Sequence, residues 1–255
     1  MINYDQFAEI YDMDMGRNIG ATDIGFYLGY ARTLSPVLEL GCGTGRIMKP
    51  LIDHRVRVVG IDKSLKMLKK AQIKLADCDS AFYDLVCADI SDFHLKDTFG
   101  LAICAFSTYS KLLTQAEQES FLSRVYDHLK PGSPLLLDMF RQEPSFHLMP
   151  DGVSVNDYTD RWHPQKNCWI SRRKRIWKDV MPRVNEIDLE YALNYPGQGE
   201  EILHLKDYTR YSSQEELKTL LCLHGFEIVN VFSSYEKERI AENSEKMIFE
   251  ARKPA

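Results

Sequence analysis

Three alternate glycines in the segment Leu38-Glu39-Leu40-Gly41-Cys42-Gly43-Thr44-Gly45 could bring a ligand close to the backbone. The segment follows a short apolar run and precedes a helical pattern, so it predicts a tight turn between a strand and a helix. Glycine accepts positive φ and carries no Cβ, which lets the amides of such a turn contact a bound cofactor. A dinucleotide-binding turn has its third glycine three residues after the second, where this chain has Arg46. The spacing disfavours a pyrophosphate ligand, and a tight turn without a ligand is the structural alternative.

Acidic residues end the next two predicted strands. Asp62 ends the run Val58-Val59-Gly60-Ile61-Asp62, and Asp89 follows the third strand. Parallel strands place such residues at one edge of the sheet, where open α/β sheets bind ligands. A carboxylate at Asp62 can accept hydrogen bonds from both ribose hydroxyls of a nucleoside, while Asp89 can accept one from an adenine amino group. A helix N-cap is the alternative role for Asp62, and Ser64 can supply that cap instead.

An alternation of strands and helices must position these residues. Strands are predicted at 36–40, 56–61, 82–87, 101–106 and 135–140, with helices at 45–53, 65–75 and 115–129 between them. A further helix at 215–224, capped by Ser212 or Ser213, precedes two last strands at 226–232 and 246–251. The pattern predicts an α/β fold, a Rossmann-like doubly wound sheet of seven mostly parallel strands.

Residues 145–211 depart from this alternation. Three extended stretches at 168–180, 184–194 and 201–211 predict an antiparallel β insertion after the fifth strand. The segment is rich in tyrosine and tryptophan, and a sheet with one face over the substrate pocket would bury about half of these rings. Packing is the favoured role for any single ring, and Arg210 is a predicted substrate contact. The predicted division is therefore a cofactor-binding domain at 1–144 and 212–255, with an N-terminal helical lid over about 1–34, and a substrate cover at 145–211. A homodimer interface formed by the insertion is the alternative.

Four segments together resemble the class I S-adenosylmethionine-dependent methyltransferases of the small-molecule type, and the sequence is similar to the amino-sugar N-methyltransferases. These segments are Val37–Gly45, Gly60–Leu68, Ala88–Ile90 and Leu129–Gly132. The resemblance covers about residues 1–140 and 212–252, and it implies S-adenosylmethionine as the cofactor.

The resemblance also implies roles for residues of these motifs. Gly41, Gly43 and Gly45 would lie along the methionine and ribose portion, and Glu39 would organise the methionine end. Asp62 would bind the ribose, and Asp89 with Ile90 would hold the adenine. The remaining predicted cofactor contacts are Cys42, Lys63, Met67 and Phe106.

The N-terminal segment carries Tyr4, Phe7, Ala8 and Tyr11 at helical spacing. The pattern resembles the lid of small-molecule methyltransferases, in which an early tyrosine closes over the cofactor, and it makes Tyr11 a predicted cofactor contact. Core packing is the alternative, above all for Phe7 and Ala8. Arg17 is predicted to pair with the methionine carboxylate, with a solvated surface arginine as the alternative.

The segment Ala105-Phe106-Ser107-Thr108-Tyr109 follows the fourth strand. It lacks the Asn/Asp-Pro-Pro-Tyr-type motif of enzymes that methylate DNA bases or glutamine amides, and it resembles small-molecule N- and O-methyltransferases instead. Tyr109 is a predicted substrate contact, and packing beneath the insertion is its alternative. Histidines could deprotonate an acceptor, yet the sequence identifies no particular catalytic base.

Composition limits the partners. The 255 residues carry 44% hydrophobic and 27% charged side chains and a net charge of −5, which is typical of a globular protein and argues weakly against a nucleic-acid surface. The six cysteines form no CxxC pair, so we expect no metal site and a reducing compartment. With no signal-peptide pattern and no apolar run of about 18 residues, a cytoplasmic location without membrane contact is expected.

The predicted reaction is methyl transfer from S-adenosylmethionine to nitrogen or oxygen of a small-molecule acceptor, which releases S-adenosylhomocysteine. An RNA or protein methyltransferase is one alternative. A non-catalytic regulatory module that binds the cofactor is another. The basic run Arg172–Arg175 could recognise an anionic substrate, but a solvated strand edge is favoured.

Overall fold

A computed structural model describes residues 4–15, 22–141, 146, 149–164, 166–179, 181, 183–241 and 243–255. Its α-helices are α1 (Tyr4–Met15), α2 (Thr22–Ala31), α3 (Met48–Asp53), α4 (Leu65–Lys74), α5 (Gln115–His128) and α6 (Gln214–Leu223). Its first five strands are β1 (Val37–Leu40), β2 (Val58–Asp62), β3 (Tyr83–Cys87), β4 (Leu101–Cys104) and β5 (Pro134–Phe140). The others are β6 (Val155–His163), β7 (Cys168–Asp179), β8 (Val184–Tyr195), β9 (Gly199–Arg210), β10 (Glu227–Phe232) and β11 (Lys246–Arg252).

The first sheet has seven strands in the order β10-β11-β5-β4-β1-β2-β3. Strands β1 to β5 pair in parallel, and β11 runs antiparallel to both β5 and β10. The chain order reverses at β1, where β2 lies on one side and β4 on the other, and ligands bind at such a point in open α/β sheets. The predicted Rossmann-like sheet is confirmed.

Helices cover both faces of this sheet. Along β1, Val37 packs with α2 and α3, whereas Leu38 and Leu40 pack with α5, because successive side chains of a strand point to opposite faces. Both clusters consist of buried, mostly aliphatic and aromatic side chains, which fix the strands whose ends carry the site. No helix of the described residues has the length and apolar character needed to cross a membrane.

The second sheet is antiparallel, in the order β6-β7-β8-β9, and follows β5 as predicted. It has four strands instead of the three that the sequence suggested. Strand β6 escaped prediction because it carries the polar residues Asn156, Asp157 and Arg161, and its pairing with β7 is interrupted by register shifts.

The two faces of the second sheet have different surroundings. On the inner face, Tyr191 is fully buried and its ring centroid lies 6.1 Å from that of Phe7 in α1. Trp169 and Trp177 lie on the outer face and are 44% and 38% exposed. The β register therefore turns these two tryptophans away from the cavity, whereas the inward-facing Tyr191 is buried, as expected for a sheet with one covered face.

Candidate active site

A cavity of about 390 Å³ lies between the strand ends of the first sheet and the inner face of the second. Nine of the predicted cofactor contacts line it: Tyr11, Gly41, Gly43, Asp62, Lys63, Met67, Asp89, Ile90 and Phe106. The predicted substrate contact Arg210 lines the opposite wall. Arg17 lies outside the described residues. Since the cavity touches both sheets, it can hold a cofactor and an acceptor side by side.

The glycine turn follows β1 as predicted and has the positive φ that its sequence requires. Gly41 has φ +75°, and a Cβ there would overlap the Thr108 side chain. Gly43 has φ +53°, and a Cβ there would lie 3.8 Å from the Tyr11 ring. The missing side chain of Gly41 therefore lets the turn approach the loop after β4, whereas at Gly43 only the positive φ favours glycine. Gly45 does not line the cavity, and its φ of +76° is likewise what favours glycine there.

Asp62 connects the glycine turn to α4. One carboxylate oxygen accepts the Gly43 N–H at 2.9 Å and the other accepts the Ser64 N–H at 2.8 Å. Burial raises the pKa of Asp62, although both N–H groups oppose the shift. Ser64 itself caps α4 by accepting the Met67 N–H at 3.2 Å, so the predicted Ser64 cap is confirmed. Asp62 is therefore free of the capping role and presents its carboxylate to the cavity.

Asp89 and its neighbours form the wall beyond β3. The Asp89 carboxylate accepts the Ser91 N–H at 2.9 Å and the Ser91 hydroxyl at 2.7 Å. Partial burial raises the pKa of Asp89, but the two Ser91 hydrogen bonds outweigh burial and leave the pKa below its usual range. The group therefore stays an anionic hydrogen-bond acceptor beside the apolar side chain of Ile90 at neutral pH.

Glu39 and Cys42 lie behind the cavity and do not line it. Glu39 is 3% exposed, and no donor among the described residues reaches its Oε2. Burial raises the pKa of Glu39 to about 8, against the opposing charge of Arg46. Arg46 pairs with the fully buried Asp23 at 2.6 Å. The Cys42 side chain packs in the core. The prediction that it contacts the cofactor is therefore replaced by a packing role.

The aromatic residues of α1 pack against the second sheet and border the cavity. Phe7 and Ala8 are buried in a cluster with the second sheet, as core packing predicts, and Phe7 also lines the cavity. Tyr4 and Tyr11 line the cavity, and burial raises the pKa of both phenols, so they stay protonated near neutral pH. Asp5 fixes the helix above α4 by accepting the Ser64 hydroxyl at 2.7 Å, a contact that the sequence did not reveal.

The loop after β4 has an unusual backbone. The strand was predicted to reach Phe106 but ends at Cys104, because Phe106 and Ser107 both adopt positive φ, at 54° and 58°. Such a conformation costs roughly 1–3 kcal/mol for each non-glycine residue and needs support from its surroundings. The Phe140 N–H donates to the Ser107 hydroxyl at 2.7 Å, and the Ser107 N–H donates to the Asp138 carbonyl at 3.0 Å. These bonds hold the loop against β5 and expose Phe106 to the cavity.

The Asp138 side chain on β5 is the second support of this loop. Its carboxylate accepts the Phe106 N–H and the Tyr27 hydroxyl, each at 3.2 Å, and also the Tyr235 hydroxyl. Asp138 is 2% exposed, and burial raises its pKa against the hydrogen bonds that it accepts. Asp138 was not predicted from its sequence context; a lone acid inside a buried strand was the signal that could have revealed it.

Tyr109 does not contact the cavity. Its side chain is fully buried, and its ring meets Phe121 of α5 edge-on at a centroid distance of 5.3 Å. The predicted substrate contact is therefore wrong, and core packing explains the residue. The cause is the short 3₁₀ helix Thr108–Lys111, which turns Tyr109 towards the sheet and Lys111 towards the cavity.

The inner face of β7 to β9 forms the roof of the cavity. It combines the aliphatic residues Ile176, Ile187 and Leu189 with the polar residues Asn185, Asp207 and Thr209, and Arg210 borders the cavity from the end of β9. Asp207 pairs with Lys111 at 2.5 Å, and Arg210 pairs with Glu216 at 3.0 Å. No histidine of the described residues lines this cavity; His163 is buried elsewhere, and His147 lies outside the described residues.

The basic run of β7 forms ion pairs across the strands. Arg172 and Lys174 both pair with Asp157 of β6, and Arg173 lies 3.5 Å from Glu190 of β8. None of these residues lines the cavity. The favoured interpretation of a solvated strand edge is nevertheless wrong, because β7 lies between β6 and β8 and the Arg172 side chain is only 11% exposed.

Comparisons with known proteins agree with this architecture. Residues 37–132 match the family model described as a methyltransferase domain. A Geobacillus sp. (strain WCH70) protein, named provisionally as a methyltransferase, is 23% identical over 218 residues, which are 85% of this chain and 84% of that protein. An S-adenosylmethionine-dependent methyltransferase from Clostridium acetobutylicum ATCC 824 has TM-score 0.82 and 18% identity over 99% of both chains. CalS10, an amino pentose methyltransferase from Micromonospora echinaspora solved with S-adenosylmethionine bound, has TM-score 0.74 and 22% identity over 96% of both chains.

The family match spans the glycine turn, both acidic strand ends and the loop after β4. The fold is Rossmann-like, and the structural neighbours share it over almost the whole chain. Residues 37–132 form a methyltransferase domain, and the predicted resemblance to the S-adenosylmethionine-dependent methyltransferases is confirmed.

Proposed function

We propose that the enzyme methylates nitrogen or oxygen of a small-molecule acceptor that binds beneath the second sheet. The observation that carries the proposal is the cavity of about 390 Å³, which joins the acidic strand ends to a partly polar roof. The roof, α1 and the loop after β4 enclose the acceptor side, which suits a metabolite better than a segment of RNA or protein. The amino pentose acceptor in the name of the structural neighbour CalS10 supports a small acceptor.

The cofactor residues are proposed in the roles that the sequence motifs imply. Asp62 binds the ribose, and Asp89 with Ile90 holds the adenine, since both carboxylates reach the cavity wall. Gly41 and Gly43 lie along the cofactor, with the ring of Tyr11 above them. Lys63, Met67 and Phe106 complete this wall. S-adenosylmethionine supplies a sulfonium-bound methyl group that is already activated for transfer.

The methionine end of the cofactor site is proposed to involve the buried acid behind the turn. The unpartnered Oε2 of Glu39 suits a cationic amino group, which would favour the charged form of this acid. Arg17 remains a predicted partner of the carboxylate. Gly45 and Cys42 take part by shaping the turn from behind, because neither reaches the cavity.

The residues around the acceptor contribute position and exclusion of water. The supported loop at Phe106 and Ser107 is the rigid wall next to the proposed transfer site, and the roof with α1 keeps water out. The carboxylate of Asp207 faces the same space and can hold a hydroxyl or ammonium group of an acceptor. The domain boundaries and a cytoplasmic location likewise stay predictions.

Mass spectrometry of product formation tests the proposal. We expect the protein with S-adenosylmethionine to add one methyl group to at least one of three probes, namely 2-amino-2-deoxyglucose, glucose and catechol, which offer an amine, alcohols and phenols. Total RNA and a denatured protein mixture serve as competing substrates with radiolabelled cofactor. Label in those polymers alone would refute the small-molecule proposal. Calorimetric binding of S-adenosylhomocysteine without methylation of any substrate would favour a regulatory module.

A further inference from the structure

Asn185 is a buried polar residue among aliphatic neighbours at the edge of the cavity. It lies on β8, pairs with Thr209 of β9, and points from the inner face of the second sheet to the cavity. The residue is only 3% exposed, and no donor among the described residues reaches its buried Oδ1 atom. The neighbouring inward positions hold Ile187 and Leu189. An aliphatic side chain would therefore suit this position better if the protein needed only packing.

An unsatisfied amide oxygen in such a setting has an energetic consequence. Buried polar groups are nearly always hydrogen-bonded, because the loss of water is otherwise not compensated. When such a group borders a ligand cavity, a donor from the ligand can restore the missing hydrogen bond. The oxygen would then discriminate against analogues that lack the donor, since those analogues would leave it unpaired.

We propose that Asn185 is a specificity-determining residue whose Oδ1 accepts a hydrogen bond from an N–H or O–H group of the methyl acceptor. The assignment rests on the proposed function of the site. The acceptor is then an amine or alcohol that presents a hydrogen-bond donor to the roof of the cavity. Carboxylate and phosphate compounds are disfavoured as acceptors. An anion would bring a second acceptor towards Asn185 Oδ1 and would meet the Asp207 carboxylate on the same face.

The charges near Asn185 agree with this class. The cation of Lys111 is paired with Asp207, and that of Arg210 is paired with Glu216. Both cations are therefore already neutralised by carboxylates at the cavity or beside it. A neutral or cationic acceptor can bind without breaking either ion pair, whereas an anionic acceptor would compete with the carboxylates for Lys111 or Arg210.

Two substitutions and one control test the role of Asn185. Asn185→Leu replaces both polar atoms by methyl groups with the same branching at Cγ, Asn185→Asp keeps an acceptor oxygen, and Asn194→Leu makes the same change at an exposed position of β8. We expect Asn185→Leu to raise the Tm of the free protein by about 2–4 °C, because an unsatisfied buried group is removed. It should also lower kcat/KM for the best of the three probes by about 10- to 100-fold. Asn185→Asp should restore most of that kcat/KM, and the control should change neither quantity.

The outcomes separate this inference from the proposed function. A fall in the Tm of Asn185→Leu would show that the amide stabilises the fold and would overturn the inference, and so would an unchanged kcat/KM. Loss of kcat/KM in Asn185→Asp with full activity in Asn185→Leu would show that the amide oxygen is not the recognised atom. If the wild-type protein methylates none of the three probes, the proposed function fails, and the Tm of Asn185→Leu alone decides whether Asn185 is a structural residue.

Discussion

Replacement of Asp62 by alanine is expected to weaken both the fold and cofactor binding. The structure shows two backbone donors on this carboxylate, Gly43 N–H and Ser64 N–H, at 2.9 and 2.8 Å. A hydrogen bond to a charged group contributes about 1.5–3 kcal/mol. Because burial raises the pKa of Asp62 despite both donors, the cost of desolvating the carboxylate offsets part of this energy. We therefore expect a loss of about 2 kcal/mol, which corresponds to a fall in Tm of about 4–8 °C for a chain of this size.

Cofactor binding should change independently of this loss. If Asp62 accepts hydrogen bonds from the ribose hydroxyls, alanine should reduce the affinity for S-adenosylhomocysteine by about 10- to 100-fold. Calorimetry well below the Tm of the variant measures the affinity of the folded protein. Asp84→Ala is the matched control, since Asp84 lies on the adjacent β3 and its exposed side chain pairs with Arg57 at 2.6 Å. That exposed pair should contribute less than about 1 kcal/mol, and its loss should leave the affinity unchanged.

The two measurements can refute different parts of the reasoning. A lower Tm with an unchanged affinity would mean that Asp62 only joins the turn to α4. An unchanged Tm would mean that water from the cavity satisfies the Gly43 and Ser64 amides equally well. Asp62→Asn refines the test: its amide can accept only through one atom, so one of the two backbone donors loses its partner and the Tm should also fall.

Three further predictions concern the surroundings of the cavity. The pKa of Glu39 is raised from 4.5 to about 8 in the folded protein, so its contribution to stability is present below pH 4.5 and is lost as pH rises through 8. Differential scanning calorimetry at pH 5 to 8 should show a fall in Tm that Glu39→Gln reduces; an equal pH dependence in both proteins would contradict the burial argument. Asp138→Asn should weaken the support of the Phe106 loop and lower kcat by about 10-fold with little change in S-adenosylhomocysteine affinity; an unchanged kcat in single-turnover assays would refute a positioning role. Arg210→Met should lower acceptor turnover while leaving S-adenosylhomocysteine binding intact. Sedimentation of the same Arg210→Met variant checks the alternative of a dimer interface, since a changed sedimentation coefficient with normal kinetics would overturn the assignment of the insertion to the substrate.

Most residues on the cofactor side of the cavity could be predicted because each belongs to a short sequence motif at the end of a strand. The glycine turn, Asp62 and Asp89 each directly follow an apolar strand, and parallel strands must bring their carboxyl ends together. Period-two and helical patterns place these strands to within a few residues. The resulting wall contains nine of the expected residues, even though Glu39 lies behind it.

Only the tertiary structure decided which of the other residues reach the cavity. Asp138 meets Tyr27 and Tyr235 across 111 and 97 residues of sequence, and Lys111 meets Asp207 across 96. No spacing pattern in a single sequence encodes such pairs, because they depend on how separate elements dock.

The sequence likewise does not determine which face of the second sheet covers the cavity. The alternation of side chains along β8 implies that Asn185 and Ile187 share a face. It does not determine whether that face covers the cavity or is exposed to solvent. The choice depends on packing against α1 and α4, which buried Tyr191 and left Trp169 outside. A single turn of 3₁₀ helix likewise decided that Lys111, and not Tyr109, faces the cavity. Sequence periodicity thus determined the strands and the cofactor edge, whereas the docking of one sheet over the other determined the acceptor side.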